Sequence, residues 1–415
     1  MKLKAVGPLI VVLVATGCEA GGGPVSPSPS AGDIVIASDL PSSAFAPLIG
    51  PMQQAIHFAV DHAGISGFKV TYMPLDDSLA GKPSAEKGVQ NVKHMIADHR
   101  VLGMIGPWSS SVGYGEIPLA NAADLVILSP TNTDLCLTEP ASFCDVQPDA
   151  LRPTGPNNYF RIAAPEPLQG RAMARFAAGV LHLTRAAVFN EWGQVGHLVI
   201  DDLRSEFARA GGVLVLSQDL QEGTSDFKGF LTEAKMRGAQ AILAVTGNEK
   251  DHVCKARAQM PRILPDETPF IATDGVAFSD ICVADAADNA SGMYFTSSEV
   301  DPTHSADPAV KRVIDAFQTA HPDASDNPSW TFAAYDCTEI LIDAIKRTIG
   351  ANGGRIPTRA QVIDSVARSQ FTGGVTGDYS FDQQGDARSP LMSVYELRNS
   401  RWAYVQKIDV SAQGT

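Results

Sequence analysis

Hydroxyl and acidic side chains follow several of the short apolar runs in this sequence. Hydroxyls and free backbone N–H groups at the start of a helix can hold a carboxylate, and an acid facing a cleft can neutralise an ammonium group. The polar groups are Ser109-Ser110-Ser111 after the run 101–106, the segment 129–133 after the run 125–128, and Asp274 after the run 270–273. Together they predict a site for a small zwitterion.

Each group also has an ordinary structural explanation. A serine in front of a helix is commonly its N-cap, the segment 129–133 could be a polar turn, and Asp274-Gly275 is a frequent turn dipeptide. Three consecutive serines beside Trp108 exceed what capping requires. The other two groups gain significance from the combination, because a zwitterion needs partners for both of its charges.

The elements that must position these residues alternate along the chain. Short apolar runs of the kind found in buried parallel sheets alternate with amphipathic segments at helical spacing, which predicts an α/β fold. The expected strands are 34–38, 68–75, 101–106, 125–129, 187–189, 213–216, 241–245 and 270–273. In such a fold ligands bind at the carboxyl ends of the strands, where the polar groups lie.

Two features predict two α/β lobes rather than one. The segment 130–158 is rich in Pro, Thr and Asn and interrupts the alternation, which then resumes. After a long helix expected over 330–349, the chain reads as strands at 379–381, 391–397 and 402–408. A chain of 415 residues is long enough for two cores of ordinary domain size.

The N-terminus has the composition of a signal peptide. Lys2 and Lys4 precede a short apolar stretch, and Gly17 stands directly before Cys18. The segment resembles a bacterial lipoprotein signal, in which the cysteine is acylated; Ala15 departs from the usual Leu. We expect a signal peptide over 1–17, lipidation of Cys18 and a flexible Gly/Pro/Ser-rich tether over 18–32, which together anchor the protein outside the cytosol.

The other five of the six cysteines can be sorted by their surroundings. Cys136 and Cys144 flank a short polar loop and are expected to form a local disulfide. Cys254 with Cys282 is a second candidate pair. Cys337 lies in a helical pattern and is expected to be a buried thiol.

Several functional classes are excluded. A net charge of −14 argues against binding to nucleic acid, which requires clustered Lys and Arg. The chain contains no Gly-x-Ser-x-Gly elbow, no His-Glu-x-x-His and no phosphate loop, and its cysteine spacings match no zinc site. We therefore expect neither an enzyme nor a cofactor.

The chain resembles the periplasmic-type solute-binding proteins of branched-chain amino acid ABC transporters, which have the type I periplasmic-binding-protein fold. The resemblance covers nearly all of 34–408 and rests on the order and spacing of several stretches. They are Gly103-Met-Ile-Gly-Pro-Trp-Ser-Ser-Ser111, Leu128-Ser-Pro-Thr-Asn-Thr133, Pro156-Asn-Asn-Tyr-Phe-Arg161, Ile271-Ala-Thr-Asp-Gly275 and Ala333-Ala-Tyr-Asp336.

The resemblance implies roles for individual residues. Two Rossmann-like three-layer lobes joined by a three-strand hinge would close on an amino acid. Ser110 and Thr133 would hold its carboxylate and Asp274 its ammonium group. Further expected ligand contacts are Ser109, Asn132, an apolar pocket of Phe45, Trp108 and Trp192, and Asn248, which with Val195 stands near the places where the family often has tyrosines.

The same resemblance implies that the chain crosses between the lobes near Arg161, Phe295 and Gly374. The expected lobes are 33–161 with 296–373, and 162–295 with 374–410. We interpret the chain as a lipid-anchored binding protein that captures a small aliphatic amino acid and delivers it to a membrane permease. A ligand-sensing receptor module, and binding of a related solute such as an amide or urea, remain the alternatives.

Overall fold

The computed structural model describes residues 32–221, 223–247, 251–277, 280–286, 292–324 and 328–411. The expected signal peptide and residues 18–31 of the expected tether therefore lie outside the described residues, as does Asn248. Gly32, the last residue of the expected tether, is instead the first residue of a strand. Within the described part, no helix is both long enough and apolar enough to cross a membrane.

The first lobe is built on a parallel sheet of five strands. Its order is β2-β1-β5-β6-β7, and every neighbouring pair runs parallel. The strands are β1 (Gly32–Asp39), β2 (Phe68–Leu75), β5 (Val101–Ile105), β6 (Val126–Ser129) and β7 (Tyr159–Arg161); a small hairpin supplies β3 (Ser78–Leu79) and β4 (Lys82–Pro83).

Helices cover both faces of this sheet. Alternate side chains of β1 point to opposite faces, so Ile34 and Ile36 join one core cluster while Val35 and Ala37 join the other. The helices of this lobe are α1 (Ala46–Asp61), α2 (Ala85–Ala97), α3 (Ser110–Ala122), α9 (Pro308–Ala320), α10 (Pro328–Ala351) and α11 (Arg359–Ala367).

The second lobe has a mixed sheet of seven strands in the order β14-β13-β12-β11-β10-β8-β9. The strands are β8 (Arg185–Asn190), β9 (Val213–Asp219), β10 (Ala241–Val245), β11 (Phe270–Ala272), β12 (Met293–Ser297), β13 (Leu391–Arg398) and β14 (Arg401–Asp409). Five run parallel, and the C-terminal pair joins antiparallel. The helices are α4 (Leu168–Arg175), α5 (Gly193–Arg209), α6 (Lys228–Met236), α7 (Lys255–Gln259) and α8 (Asp280–Ala286).

Local capping fixes several helix starts in the first lobe. The Ser84 hydroxyl accepts the Lys87 N–H at the start of α2, and Asp307 does the same for Ala309 at α9. At α11, Thr358 and Gln361 form a reciprocal capping box. The expected α/β architecture of two parallel-sheet lobes is confirmed.

The chain crosses for the last time into the second lobe later in the sequence than predicted. The predicted crossing was near Gly374. Tyr379, Phe381 and Ala387 pack in the core of the first lobe, and the chain joins the second sheet only at Leu391. The expected strand 379–381 is present only as isolated bridges. The reason is a long-range contact: Arg161 at the end of β7 pairs with Asp386 at 2.6 Å and holds this segment on the first lobe.

Two pairs of cysteines have their sulfur atoms at disulfide distance. They are Cys136 with Cys144, whose Cα atoms are 5.6 Å apart, and Cys254 with Cys282, whose Cα atoms are 5.2 Å apart. Cys337 is a fully buried free thiol on α10.

Candidate functional site

Two loops at the carboxyl edge of the first sheet carry the predicted hydroxyls. Ser110 begins α3 after β5, and its Oγ accepts the backbone N–H of Asp134 at 3.3 Å. Ser109 and Ser111 are joined through their hydroxyls at 2.8 Å. The loop after β5 is thus tied directly to the loop after β6, at the residue that follows Thr133.

Asn132 lies inside this edge rather than on its surface. Its side chain is fully buried and donates to the carbonyls of Pro107 and Trp108 at 3.1 and 3.0 Å, while its Oδ1 accepts the Tyr159 hydroxyl at 3.0 Å. These bonds occupy both ends of the amide. In the structure Asn132 therefore positions the two loops.

Asp274 lies at the carboxyl edge of the second sheet, directly after β11 and Thr273. Gln169 on α4 forms two hydrogen bonds with it. The Gln169 amide N–H donates to Asp274 Oδ1 at 2.8 Å, and the Gln169 amide oxygen accepts the Asp274 backbone N–H at 2.9 Å. The Thr296 hydroxyl donates to the same Gln169 oxygen. Burial raises the pKa of Asp274 to about 6, although the Gln169 hydrogen bond opposes this shift.

Glu166 connects the two edges. It lies between the first sheet and α4, its backbone N–H donates to the Thr133 carbonyl at 2.9 Å, and its Oε1 accepts the Thr133 hydroxyl at 3.3 Å. Burial, followed by the negative charges of Asp134 and Asp274, raises the pKa of Glu166 to about 8. Glu166, a residue of the segment that connects the lobes, therefore contacts Thr133, which was predicted to bind the ligand.

Glu299 is a third acid in the same neighbourhood. It follows β12, where the chain leaves the second sheet; its Oε2 accepts the Ser297 hydroxyl at 2.8 Å, and its carboxyl also bonds Trp330. Burial raises the pKa of Glu299 to about 7, with a further contribution from the charge of Asp274. Glu299 thus joins the end of β12 to an aromatic residue of the first lobe.

Aromatic rings form the first-lobe side of the site. The ring centroids of Phe45 and Trp108 are 5.4 Å apart, and those of Trp108 and Trp330 are 5.6 Å apart. Through its bond with Glu299, Trp330 links this aromatic side to the acid that follows β12. Apolar rings and an acid are therefore neighbours here.

Trp192 lies on the second lobe beside the strand ends. A Cβ placed on Gly247 would fall 2.7 Å from its indole Nε1, so a larger residue at 247 would displace the tryptophan. Next to it, Glu191 is buried and its Oε2 lies 2.6 Å from His252 Nε2. The second-lobe wall therefore carries an acid–imidazole pair, while Val195 lies one turn into α5.

Four residues of the site were missed from the sequence: Glu166, Gln169, Glu299 and Trp330. Glu166 and Glu299 lie in segments that connect the lobes, where acids look like ordinary loop residues. The available signal was the Pro165-Glu166-Pro167 sequence, since an acid between two prolines is held in a restricted backbone. Among the described residues, no group of three or more His, Cys, Asp or Glu side chains is arranged to hold a metal ion.

Two α/β lobes with hydroxyls at the carboxyl edge of one sheet and an acid at that of the other are the architecture of a solute-binding protein. The chain belongs to the periplasmic binding protein family, whose model matches residues 35–401. This is a family of extracytoplasmic solute-binding proteins rather than enzymes, in agreement with the class expected from the sequence.

Individual relatives are distant in sequence and cover most of the chain. A Leu/Ile/Val-binding protein homolog from Brucella melitensis is 22% identical over 86% of this chain and 91% of its own length. A Desulfitobacterium hafniense ABC transporter substrate-binding protein, solved with Leu, superposes with a TM-score of 0.69 at 17% identity, covering 90% of this chain and 100% of that one.

Other proteins of this fold were solved with different ligands. An R. palustris solute-binding protein in complex with 4-hydroxybenzoate has a TM-score of 0.66 at 16% identity, covering 91% of this chain and 96% of that one. Similarity of fold therefore leaves the ligand to be argued from the residues of the cleft.

Proposed function

We propose that this protein is the extracytoplasmic, lipid-anchored binding component of an ABC importer and captures a small amino acid with an aliphatic side chain. The observation that carries the proposal is that hydroxyls and aromatic rings follow the strands of the first sheet, while the buried Asp274 follows a strand of the second. The Leu/Ile/Val-binding relatives support an amino acid as the ligand.

In this proposal Asp274 takes the ammonium group. Gln169 donates to the Asp274 carboxyl and accepts the backbone N–H of the same residue, so the acid does not have to be ordered when the ligand arrives. The polar end of the ligand meets Ser109, Ser110 and Thr133, while its side chain packs on Phe45, Trp108 and Trp192. A charge-assisted bond of this kind contributes roughly 1.5–3 kcal/mol.

Ligand contacts with both lobes would favour a closed arrangement over an open one. A ligand shifts such an equilibrium only by its difference in affinity for the two states, so contacts from both lobes are required. The closed form would be presented to a membrane permease. We also propose that lipidation of Cys18 keeps the clamp at the membrane, and that the two close cysteine pairs form disulfides outside the cytosol.

Substitution of Asp274 tests the site. Asp274→Ala should weaken amino-acid binding by about ten- to a hundredfold, since the ammonium group loses its counter-charge in a buried site. Binding is measured by calorimetry after a thermal-shift screen of the twenty amino acids and small amides. Asp201→Ala, which removes an exposed acid of the same lobe, is the matched control. Equal affinities for Asp274→Ala and the wild type would refute the site.

A further inference from the structure

The acid–imidazole pair of the second-lobe wall lies at the same sheet edge as Asp274. Glu191 directly follows β8, and its backbone N–H donates to the carbonyl of Val245, the last residue of β10, at 3.0 Å. His252 lies in a short 3-10 helix after β10, which packs against the turn that begins with Asp274. The pair thus follows strands that are one and two positions from β11, a separation of roughly 5–10 Å along the edge.

Two contacts hold the His252 ring in place. The side chain of Glu191 is fully buried, and its Oε2 lies 2.6 Å from His252 Nε2, within hydrogen-bond distance. Two residues further on, the sulfur of Cys254 lies at disulfide distance from that of Cys282 on α8, so the short helix is also attached to the rest of the lobe. A ligand that contacts a ring held in this way does not have to pay for ordering it.

The other ring nitrogen of His252 is available to a ligand. Among the residues that the structure describes, Nδ1 has no hydrogen-bond partner, and it is not one of the buried polar atoms without a partner. The side chain is 22% exposed, so a small solute can reach this nitrogen. Trp192, which follows Glu191, supplies apolar surface next to it. The second-lobe wall therefore combines an apolar ring with one accessible polar atom.

We propose that His252 is a specificity-determining residue that binds a hydroxyl on the aliphatic side chain of the ligand, so that the cleft prefers threonine to valine. A hydroxyl both donates and accepts hydrogen bonds. It can therefore pair with Nδ1 whichever ring nitrogen carries the proton, and also when both do. A methyl group at the same place would displace water from Nδ1 without replacing its hydrogen bond, which lowers the affinity.

This inference rests on the proposed function, because it names the side chain that the same cleft selects. Threonine and valine form a matched pair of probes: they carry the same charges, have nearly the same shape, and differ by a hydroxyl in place of a methyl group. Calorimetry near neutral pH measures both. Threonine should bind the wild-type protein with a dissociation constant at least about tenfold below that of valine, since valine leaves Nδ1 without a partner.

Substitution of His252 separates recognition of the hydroxyl from a structural role. His252→Leu should reduce the ratio of the valine to the threonine dissociation constant by several fold, because it removes Nδ1. A purely structural role would weaken both ligands equally and leave the ratio unchanged. His252→Asn should retain part of the ratio, since its amide places a hydrogen-bonding atom near the position of Nδ1.

Two further variants complete the experiment. Glu191→Leu should lower the ratio in the same direction as His252→Leu, because the imidazole ring loses the partner that orients it. His94→Leu is the control and should leave the ratio unchanged. His94 is exposed in the last turn of α2, before β5, at the opposite edge of the first sheet from Ser110. Thermal unfolding checks that each variant folds.

The outcomes distinguish this inference from the function on which it rests. If valine binds the wild type as tightly as threonine or more tightly, or if other amino acids bind and neither probe does, the inference is wrong while amino-acid capture stands. An unchanged ratio in folded His252→Leu has the same meaning. If none of the twenty amino acids binds the wild type, the amino-acid assignment of the cleft fails, and the inference fails with it.

Discussion

At the scale of single residues, the site depends on acids that are held in unfavourable surroundings. Asp274, Glu166 and Glu299 each have a raised pKa because burial opposes their charged forms, and the charge of Asp274 adds to this effect for Glu166 and Glu299. Each retains neutral hydrogen-bond donors that fix its orientation. Such residues are costly in an empty cleft, and in the proposed function the ammonium group of the ligand offsets part of that cost at Asp274.

A second group of acids, inside the first lobe, predicts a dependence of stability on pH. Asp39, Asp77 and Glu116 are fully buried, and neither carboxyl oxygen of Asp77 has a hydrogen-bond partner. Burial, followed by the charges of Asp39 and Asp76, raises the pKa of Asp77 to about 8 from an ordinary 3.8. The folded state therefore retains a proton that the unfolded state releases. Stability must fall as the pH rises from about 4 to 8.

Asp77→Asn should reduce the loss of folding stability between pH 4 and pH 8. At pH 8 the variant should be more stable than the wild type by about 1–3 kcal/mol, since no buried carboxylate remains at position 77; near pH 4 the two should be similar. Asp76→Asn is the contrasting control. Burial opposes ionisation of Asp76, but hydrogen bonds from Ser43 and Ser78 outweigh it and lower its pKa, so this substitution should destabilise at pH 8. Thermal melts at both pH values measure the effect, and equal pH profiles for wild type and Asp77→Asn would contradict it.

At the scale of elements, periodicity predicted most of the sheet-forming segments. The strands 68–75 and 241–245 were predicted with the bounds they have, because a parallel strand is a short apolar run with clear ends. Sequence does not tell which sheet a segment joins. The placement of 379–387 depends on Arg161, more than two hundred residues away, and no local pattern contains that contact.

The same limit applied to the site. Ser110, Thr133 and Asp274 follow strands, and the rule for strand ends placed them correctly at the carboxyl edges of the two sheets. Glu166 and Glu299 act from the connecting segments, where no periodic pattern indicates which side chains face the cleft. Asn132 was predicted at the correct edge, but its burial became evident only with Pro107, Trp108 and Tyr159 in place.

The ion pair that holds the segment 379–387 can be tested directly. Asp386→Ala should destabilise the protein by about 3–5 kcal/mol, since it leaves the fully buried Arg161 without a counter-charge. The double variant Arg161→Met, Asp386→Leu should lose less, because it leaves neither charge uncompensated. Chemical denaturation measures both. A double variant that is less stable than Asp386→Ala would show that hydrogen bonds of Arg161, rather than its charge, dominate.

At the scale of the whole molecule, the proposed site draws residues from both lobes. Thr133 and the aromatic wall of Phe45, Trp108 and Trp330 belong to the first lobe, whereas Asp274 and Gln169 belong to the second. Glu166 and Glu299 lie at the connections between them, so in the proposed function the segments that join the lobes also bring acids to the cleft.

The purpose of such a clamp depends on where it is held, and the proposed anchor makes a clear prediction. Cys18→Ser should abolish incorporation of labelled fatty acid and move the protein from the membrane fraction to the soluble fraction, because two or more acyl chains are needed for durable attachment. Cys337→Ser, which alters a buried thiol of the folded domain, is the control and should stay with the membrane. Ligand affinity of purified Cys18→Ser should equal that of the wild type, since Cys18 precedes the first strand of the folded lobes. Unchanged membrane attachment of Cys18→Ser would refute the lipid anchor while leaving the binding site intact.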